Sequence, residues 1–216
     1  MGIKKRYIIY LKLRVQMLRR LVACFAISII IILFTRSTDY SLNGVNVYTI
    51  LESLVESLEN NGIEYYLGSG SALGAARRGG ILKGDKDVDI YVFDAAPRKI
   101  EEALWGFDWK YTDFGYHVNL QNTNFYFDIW VMQEKYGKLI CVGANGKCHV
   151  WEEKYNWPLQ FPVNMILPPK KRDFGKLSFY FPNQFFAYLD YQYPDWGEKC
   201  GGWRLGNRPC TEKDFE

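Results

Sequence analysis

The stretch Asp85-Lys86-Asp87-Val88-Asp89-Ile90-Tyr91-Val92 carries three aspartates within five residues and then turns apolar. Val88, Ile90 and Val92 alternate with Asp89 and Tyr91, which predicts a strand. In an extended chain residues i and i+2 share a face, so Asp87 and Asp89 point together while Val88 packs on the other side. Carboxylates held this close repel one another unless a cation offsets them. The alternative is a solvated acidic turn between strands.

Two further features flank that run. Upstream, the predicted strand Ile63–Leu67 is broken by Gly68-Ser69-Gly70-Ser71, which opens a small-residue helix, Ala72–Arg78, closed by Gly79-Gly80. Glycines allow close backbone approach, and a helix N-terminus offers free N–H groups to phosphate. Downstream, Asp128 is the lone carboxylate in Phe125-Tyr126-Phe127-Asp128-Ile129-Trp130-Val131. A carboxylate in so apolar a strand faces solvent, pairs with a cation or binds metal. If the two strands are neighbours, Asp87, Asp89 and Asp128 form a three-carboxylate site suited to Mg2+ or Mn2+, with Asp85 joining it or supporting it from behind.

Other elements follow from periodicity and punctuation. Helices are predicted over Val47–Asn60, from Pro97 to about Trp105 with Asp94 as a cap, and over Asn183–Tyr191 capped by Asn183. Strands are predicted at Tyr116–Leu120 and Tyr126–Met132. An Asn145-Gly146 turn is predicted to join Lys138–Val142 to Cys148–Glu152, and Pro168–Arg172 to form a loop. The fold class is α/β or α+β in one domain, 47–216, a mixed sheet with flanking helices.

The formal net charge of +3 divides unevenly. Residues 1–36 hold eight basic residues and no acidic one, leaving 19 basic against 24 acidic beyond them, about −5. An acidic body does not suit a polyanion, so no nucleic-acid partner is expected. The basic arm, 1–20, precedes the apolar run Leu21–Phe34, bracketed by Arg20 and Arg36. As a helix that run spans about 21 Å against a hydrocarbon core of roughly 30 Å. Snorkelling arginines extend it, and the basic flank predicts a cytoplasmic N-terminus. We therefore expect a transmembrane signal anchor over 21–35 and a stem over 36–46. The body then lies in the lumen of the ER or Golgi, as in a single-pass type II membrane protein. A cleaved signal and a core helix are the alternatives.

Cysteine usage fits that compartment. Cys24 lies in the apolar run; Cys141, Cys148, Cys200 and Cys210 lie in the body and suggest disulfides 141–148 and 200–210. Buried thiols, or a zinc site with His149, are the alternatives. His117 and His149, the only histidines, read as structural, and Lys170-Lys171-Arg172 as a solvated run.

The stretch from Tyr66-Leu67-Gly68-Ser69-Gly70-Ser71 through Arg77-Arg78-Gly79-Gly80-Ile81, followed by Asp85-Lys86-Asp87-Val88-Asp89-Ile90, resembles the LicD family. That family has a nucleotidyltransferase fold and includes bacterial phosphocholine transferases, fukutin and fukutin-related proteins. The resemblance extends to Asp128 and more loosely to Tyr193-Pro194-Asp195-Trp196. It implies transfer of a phospho-alcohol from a CDP-linked donor to a glycan or glycoprotein acceptor. Asp87, Asp89 and Asp128 would hold metal, Gly70 and Ser71 would cradle the donor diphosphate, and Arg77 would offset donor charge. The sequence departs from the family pattern at Lys83-Gly84, where Pro-Trp is usual, and at Lys86, which would contact donor phosphate or replace part of a metal's charge. An inert binding relative and a transferase of whole nucleotides are the competing readings.

Overall fold

A computed structural model describes residues 40–42, 45–148, 159–200 and 208–212. The predicted arm and anchor, Cys24, His149 and most of the stem's first half lie outside these residues. Among the described residues no helix is long and apolar enough to cross a membrane.

Ser41–Leu42 (β1) pairs with Val45–Asn46 (β2) and leads into α1 (Val47–Asn60). The Asn46 side chain accepts the Tyr48 N–H at 3.0 Å and caps this helix, whose buried face is Val47, Tyr48, Leu51, Leu54, Val55 and Leu58. Next come β3 (Tyr65–Leu67), α2 (Ser69–Arg78), β4 (Asp87–Phe93), α3 (Pro97–Ala103), β5 (Asp108–Tyr111) and β6 (Gly115–Asn119). They are followed by β7 (Tyr126–Lys135), β8 (Lys138–Cys141), β9 (Gln160–Pro162) and α4 (Val163–Ile166). The described chain ends with β10 (Lys170–Phe174), β11 (Leu177–Phe181), α5 (Phe185–Gln192), β12 (Lys199–Cys200) and β13 (Arg208–Pro209).

The main sheet has seven strands in the order β3-β4-β7-β6-β5, with β8 along the second half of β7 and β9 outside β8. Only β4 and β7 run parallel; the other ladders are antiparallel. These two strands lie at the centre, and their paired stretches 88–93 and 127–132 are buried and, apart from Asp89 and Asp128, built of apolar and aromatic residues, as burial on both faces requires. On one face Val88, Ile90 and Val92 stand in register with Phe127, Ile129 and Val131. Tyr116, opposite Ile129 on that face, donates to the Pro97 carbonyl at the start of α3. Ser57 of α1 donates to the Ala103 carbonyl at the other end of α3. Helices α1 and α3 therefore cover this side, and the other side carries the aspartates.

Several predicted elements differ. Helix α2 begins at Ser69, three residues early, because Gly68 rather than the full Gly-Ser turn is its N-cap. Strand β8 pairs with β7 through a Tyr136-Gly137 turn, both residues at positive φ, and on its other side with β9; the predicted partner Cys148–Glu152 lies, apart from Cys148, outside the described residues. Positive φ at both central positions is the tight-hairpin geometry, and a tyrosine in the first hides it from a search for Asn-Gly. The predicted loop at Pro168–Arg172 becomes β10, paired residue for residue with β11. Its polar sequence has no apolar alternation, and the partner strand Leu177–Phe181 supplies the buried aromatics Phe179 and Phe181. Asn183 caps nothing: its amide donates to the Leu167 carbonyl and α5 starts two residues later. Asp94 accepts the Glu134 N–H instead of capping α3, which ends at Ala103 and leaves Trp105 exposed. Strand β5 has no counterpart among the predicted elements.

Both expected cysteine pairs, Cys141 with Cys148 and Cys200 with Cys210, are at bonding distance. From Tyr40 onward the stem packs on the domain: the Tyr40 hydroxyl donates to the Asp85 carbonyl at 2.8 Å.

Ile90 is fully buried in the covered face of the sheet. We expect Ile90→Ala to lower unfolding free energy by about 2–5 kcal/mol, read from the denaturant midpoint. A change below about 1 kcal/mol would contradict this packing.

Candidate active site

The register of the central strands assembles the site. Asp89 lies opposite Asp128 across the β4–β7 ladder, and Asp128 lies opposite His117 across β6–β7. Cross-strand partners share a face, and Asp87, two residues before Asp89, shares it too. Asp89 and Asp128 are each 8% exposed, Asp85 and Asp87 half-buried. The three predicted carboxylates thus share one face of the sheet, and Asp85 interacts electrostatically with Asp87.

The glycine turn closes over this group. Gly68 donates to the Asp89 carbonyl, and a side chain there would meet the Tyr91 ring at 2.6 Å. The Gly70 N–H donates to Asp89 Oδ2 at 3.2 Å, and a β-carbon on Gly70 would sit 3.4 Å from Asp85 Oδ2. Ser71 Oγ accepts the Asp89 N–H at 2.9 Å. Ser69 is held by two tyrosines: its N–H donates to the Tyr188 hydroxyl at 2.8 Å, and its Oγ lies 2.5 Å from the Tyr91 hydroxyl. Helix α2 therefore presents its N-terminus to the carboxylates, with Gly70 and Ser71 inside its first turn and bonded to Asp89 rather than in a turn ahead of the helix.

Two side chains that sequence reasoning left out hold the buried acids. Trp130 donates its indole N–H to Asp89 Oδ1 at 2.9 Å. His117 Nδ1 lies 2.8 Å from Asp128 Oδ1, and its ring packs on Tyr126 at 4.2 Å between centroids. The signal for both is periodicity: Trp130 is two residues from Asp128, and His117 lies in a strand with alternating burial.

Lys86 and Arg77 do different work from one another. Lys86 is exposed, and among the described residues no basic side chain forms an ion pair with Asp85, Asp87 or Asp89. Arg77 is buried and donates to the carbonyls of Trp196 at 2.5 Å and Lys199 at 2.7 Å, tying α2 to the C-terminal segment.

The electrostatics follow from burial and crowding. Burial, then the neighbouring charge of Asp87, pushes the Asp85 carboxyl up to about 7. Burial raises Asp87, partly countered by its hydrogen bond with Asp85 and by His117. Asp89 is raised well above the usual carboxylate range, by burial and then by Asp87 and Asp128, against the Trp130 hydrogen bond. Asp128 is raised by burial and drawn back by His117. An all-oxygen, carboxylate-rich donor set that resists carrying its own charge suits a hard divalent cation. Among the described residues, no three His, Cys, Asp or Glu side chains are grouped so as to hold a metal ion by themselves.

A central mixed sheet with flanking helices, and an Asp-x-Asp strand facing a third aspartate, defines a nucleotidyltransferase-type domain. Residues 62–184 match the family described as LicD/FKTN/FKRP, nucleotidyltransferase domain, and the chain belongs to that family. Two rickettsial proteins are similar to it. An uncharacterized protein of Rickettsia prowazekii (strain Madrid E) is 27% identical over 165 residues, 73% of this chain and 58% of its own length. An uncharacterized protein of Rickettsia typhi (strain ATCC VR-144 / Wilmington) is 26% identical over 160 residues, 71% of this chain and 47% of its own. The chain thus spans about half the length of these curated relatives. Among solved structures, ANT(2'')-Ia in complex with adenylyl-2''-tobramycin aligns with TM-score 0.42 and 13% identity, over 68% of this chain and 78% of that one. The solution structure of the antibiotic-resistance factor ANT(2'')-Ia aligns with TM-score 0.35 and 15% identity, over 41% and 48%.

The raised Asp85 carboxyl has a consequence for stability. It holds its proton more tightly folded than unfolded, so its favourable contribution is fully present below the unfolded value of 3.8 and is lost as pH rises through about 7. Thermal melts in EDTA should show Asp85→Asn gaining stability over the wild type as pH climbs from 5 to 8. Parallel curves across that range would contradict the crowded-carboxylate arrangement.

Proposed function

We propose that this chain transfers a phospho-alcohol, such as ribitol phosphate or phosphocholine, from a CDP-linked donor to a hydroxyl of a glycan or glycoprotein. The observation that carries the reading is the alignment of Asp89 opposite Asp128 on the two parallel central strands, with Asp87 on the same face. Family membership supports a transferase working on a nucleotide-type donor.

In this reading Asp87, Asp89 and Asp128, with Asp85 beside them, hold Mg2+ or Mn2+. Bound there, the cation would neutralise the donor diphosphate and favour in-line displacement at phosphorus. The acceptor oxygen bonds to the phosphorus bearing the alcohol, the bond to the bridging oxygen breaks, CMP leaves with that electron pair, and the hydroxyl proton is released. Gly70 and Ser71, at the N-terminus of α2, receive donor phosphate oxygens. Lys86, exposed next to Asp87, reaches the same phosphates from the rim. Arg77 acts through the C-terminal segment it holds. Trp130 keeps Asp89 oriented while the Gly70 N–H turns from Asp89 to donor phosphate.

The reading includes a type II membrane topology with the body in the lumen of the ER or Golgi. What supports it is the basic arm before Leu21–Phe34 and the two cysteine pairs.

The test is CMP release by the full chain from CDP-ribitol, CDP-choline and CDP-glycerol, with Mg2+ or Mn2+. Asp87→Asn and Asp89→Asn should each lower the rate by roughly 100-fold or more, a loss of at least about 2.7 kcal/mol of transition-state stabilisation. EDTA should silence the wild type. Full activity in either variant sinks the assignment, and a product heavier by a whole nucleotide would redirect it to nucleotidyl transfer.

A further inference from the structure

The buried acids do not hold their own orientation. Asp89 has two oriented N–H donors, from Trp130 and Gly70. Asp128 sits in the adjacent strand with side-chain exposure of 12% and is hydrogen-bonded to His117, itself at 16%. His117 is fixed from two sides. Strand register places it directly across from Asp128, and the Tyr126 ring packs on its ring at 4.2 Å and 33°. Tyr126 is anchored by its own N–H to the Lys86 carbonyl at 3.0 Å, within the acidic run. A carboxylate that binds a cation is ionised and only accepts, so in that state the hydrogen bond runs from His117 Nδ1–H to Asp128 Oδ1.

We propose that His117 is a positioning residue for the divalent-cation site, acting through Asp128: its Nδ1–H fixes one carboxylate oxygen and so aims the other toward the cation. The proposal rests on the metal reading given above. It assigns His117 a directional donor role, which a neutral amide at the same place would reproduce. A histidine serving only as a charge partner would have no such substitute. Partners of this kind behind metal-binding groups govern affinity as much as geometry.

Two variants separate these roles. The Asn amide nitrogen overlays the position of Nδ1, whereas the Gln amide is one bond further out and cannot donate to Asp128 in the same geometry. Calorimetric titration of MnCl2 into the full chain with saturating CDP should show His117→Gln weakened about 10- to 100-fold and His117→Asn retaining most of the affinity. Wild-type affinity in His117→Gln overturns the proposal, and so does an equal loss in both variants. Melting temperatures of both in EDTA should stay near wild type, which separates a site effect from loss of fold.

A second measurement works without metal and without substitution. With only two histidines in the chain, the ring 15N shifts of His117 can be assigned in the metal-free protein. The Nδ1–H tautomer supports the positioning bond, and the Nε2–H tautomer overturns it. If the wild type fails to bind Mn2+ while His117 carries Nδ1–H, the metal site falls but the Asp128 contact stands. Mn2+ binding with His117 in the Nε2–H tautomer would keep the metal site and remove the positioning role.

Discussion

Parallel pairing of β4 with β7 places two aspartates side by side in the middle of a sheet, and much of the domain can be understood from that. A central strand is shielded by neighbours on both edges, so charge there meets little water, and each carboxyl is pushed toward its neutral form. Groups drawn from separate elements answer that penalty: the first turn of α2, the Trp130 indole on β7 and His117 on β6. None of them is a strong cation in direct contact. The arrangement orients the acidic groups, and among the described residues no Lys or Arg side chain is ion-paired with them.

The difference between the two faces of the same strands shows how the fold tolerates this. Val88, Ile90 and Val92 are fully buried beneath α1 and α3, and the apolar area removed from water there offsets strain on the acidic side. The acidic side is instead walled by aromatic rings. Tyr66 stacks on Tyr91 at 4.9 Å, Tyr91 stacks on Trp130 at 5.7 Å, and Tyr188 meets Tyr66 edge-on. Rings with a hydroxyl or indole N–H can be buried and still end in a polar contact. This is why Tyr91, Tyr188 and Trp130 reach Ser69 and Asp89, and why β4 lacks the plain polar–apolar alternation of a half-exposed strand.

Local sequence is enough to read the Asp-x-Asp strand, the glycine turn, the helix over Val47–Asn60 and the likeness to the family. Each depends on spacing within a few residues. What local sequence does not show is set by pairing between distant segments. His117 reads as structural because nothing within a few residues of it bears chemistry; only the β6–β7 register carries it to Asp128. Strand β10 reads as a basic loop because its apolar support belongs to β11, and Arg172 rests over the Phe185 ring at 4.4 Å rather than in water alone. Arg77 draws its expected role from its place in a motif, whereas its hydrogen bonds depend on a segment about 120 residues further along.

Those long-range ties bear on where the site ends. The family match covers 62–184, yet Tyr40, Tyr188 and the carbonyls of Trp196 and Lys199 all lie outside it. Tyr40 holds the loop that carries Asp85, Tyr188 fixes the turn that carries Gly70, and the C-terminal carbonyls hold the far end of α2. A cut at the edges of the matched region would leave all four aspartates in place and free the elements that aim them. In a cluster whose charges already oppose one another, release of those elements allows the carboxyl groups to spread apart. The working unit therefore begins no later than Tyr40 and runs at least to Lys199.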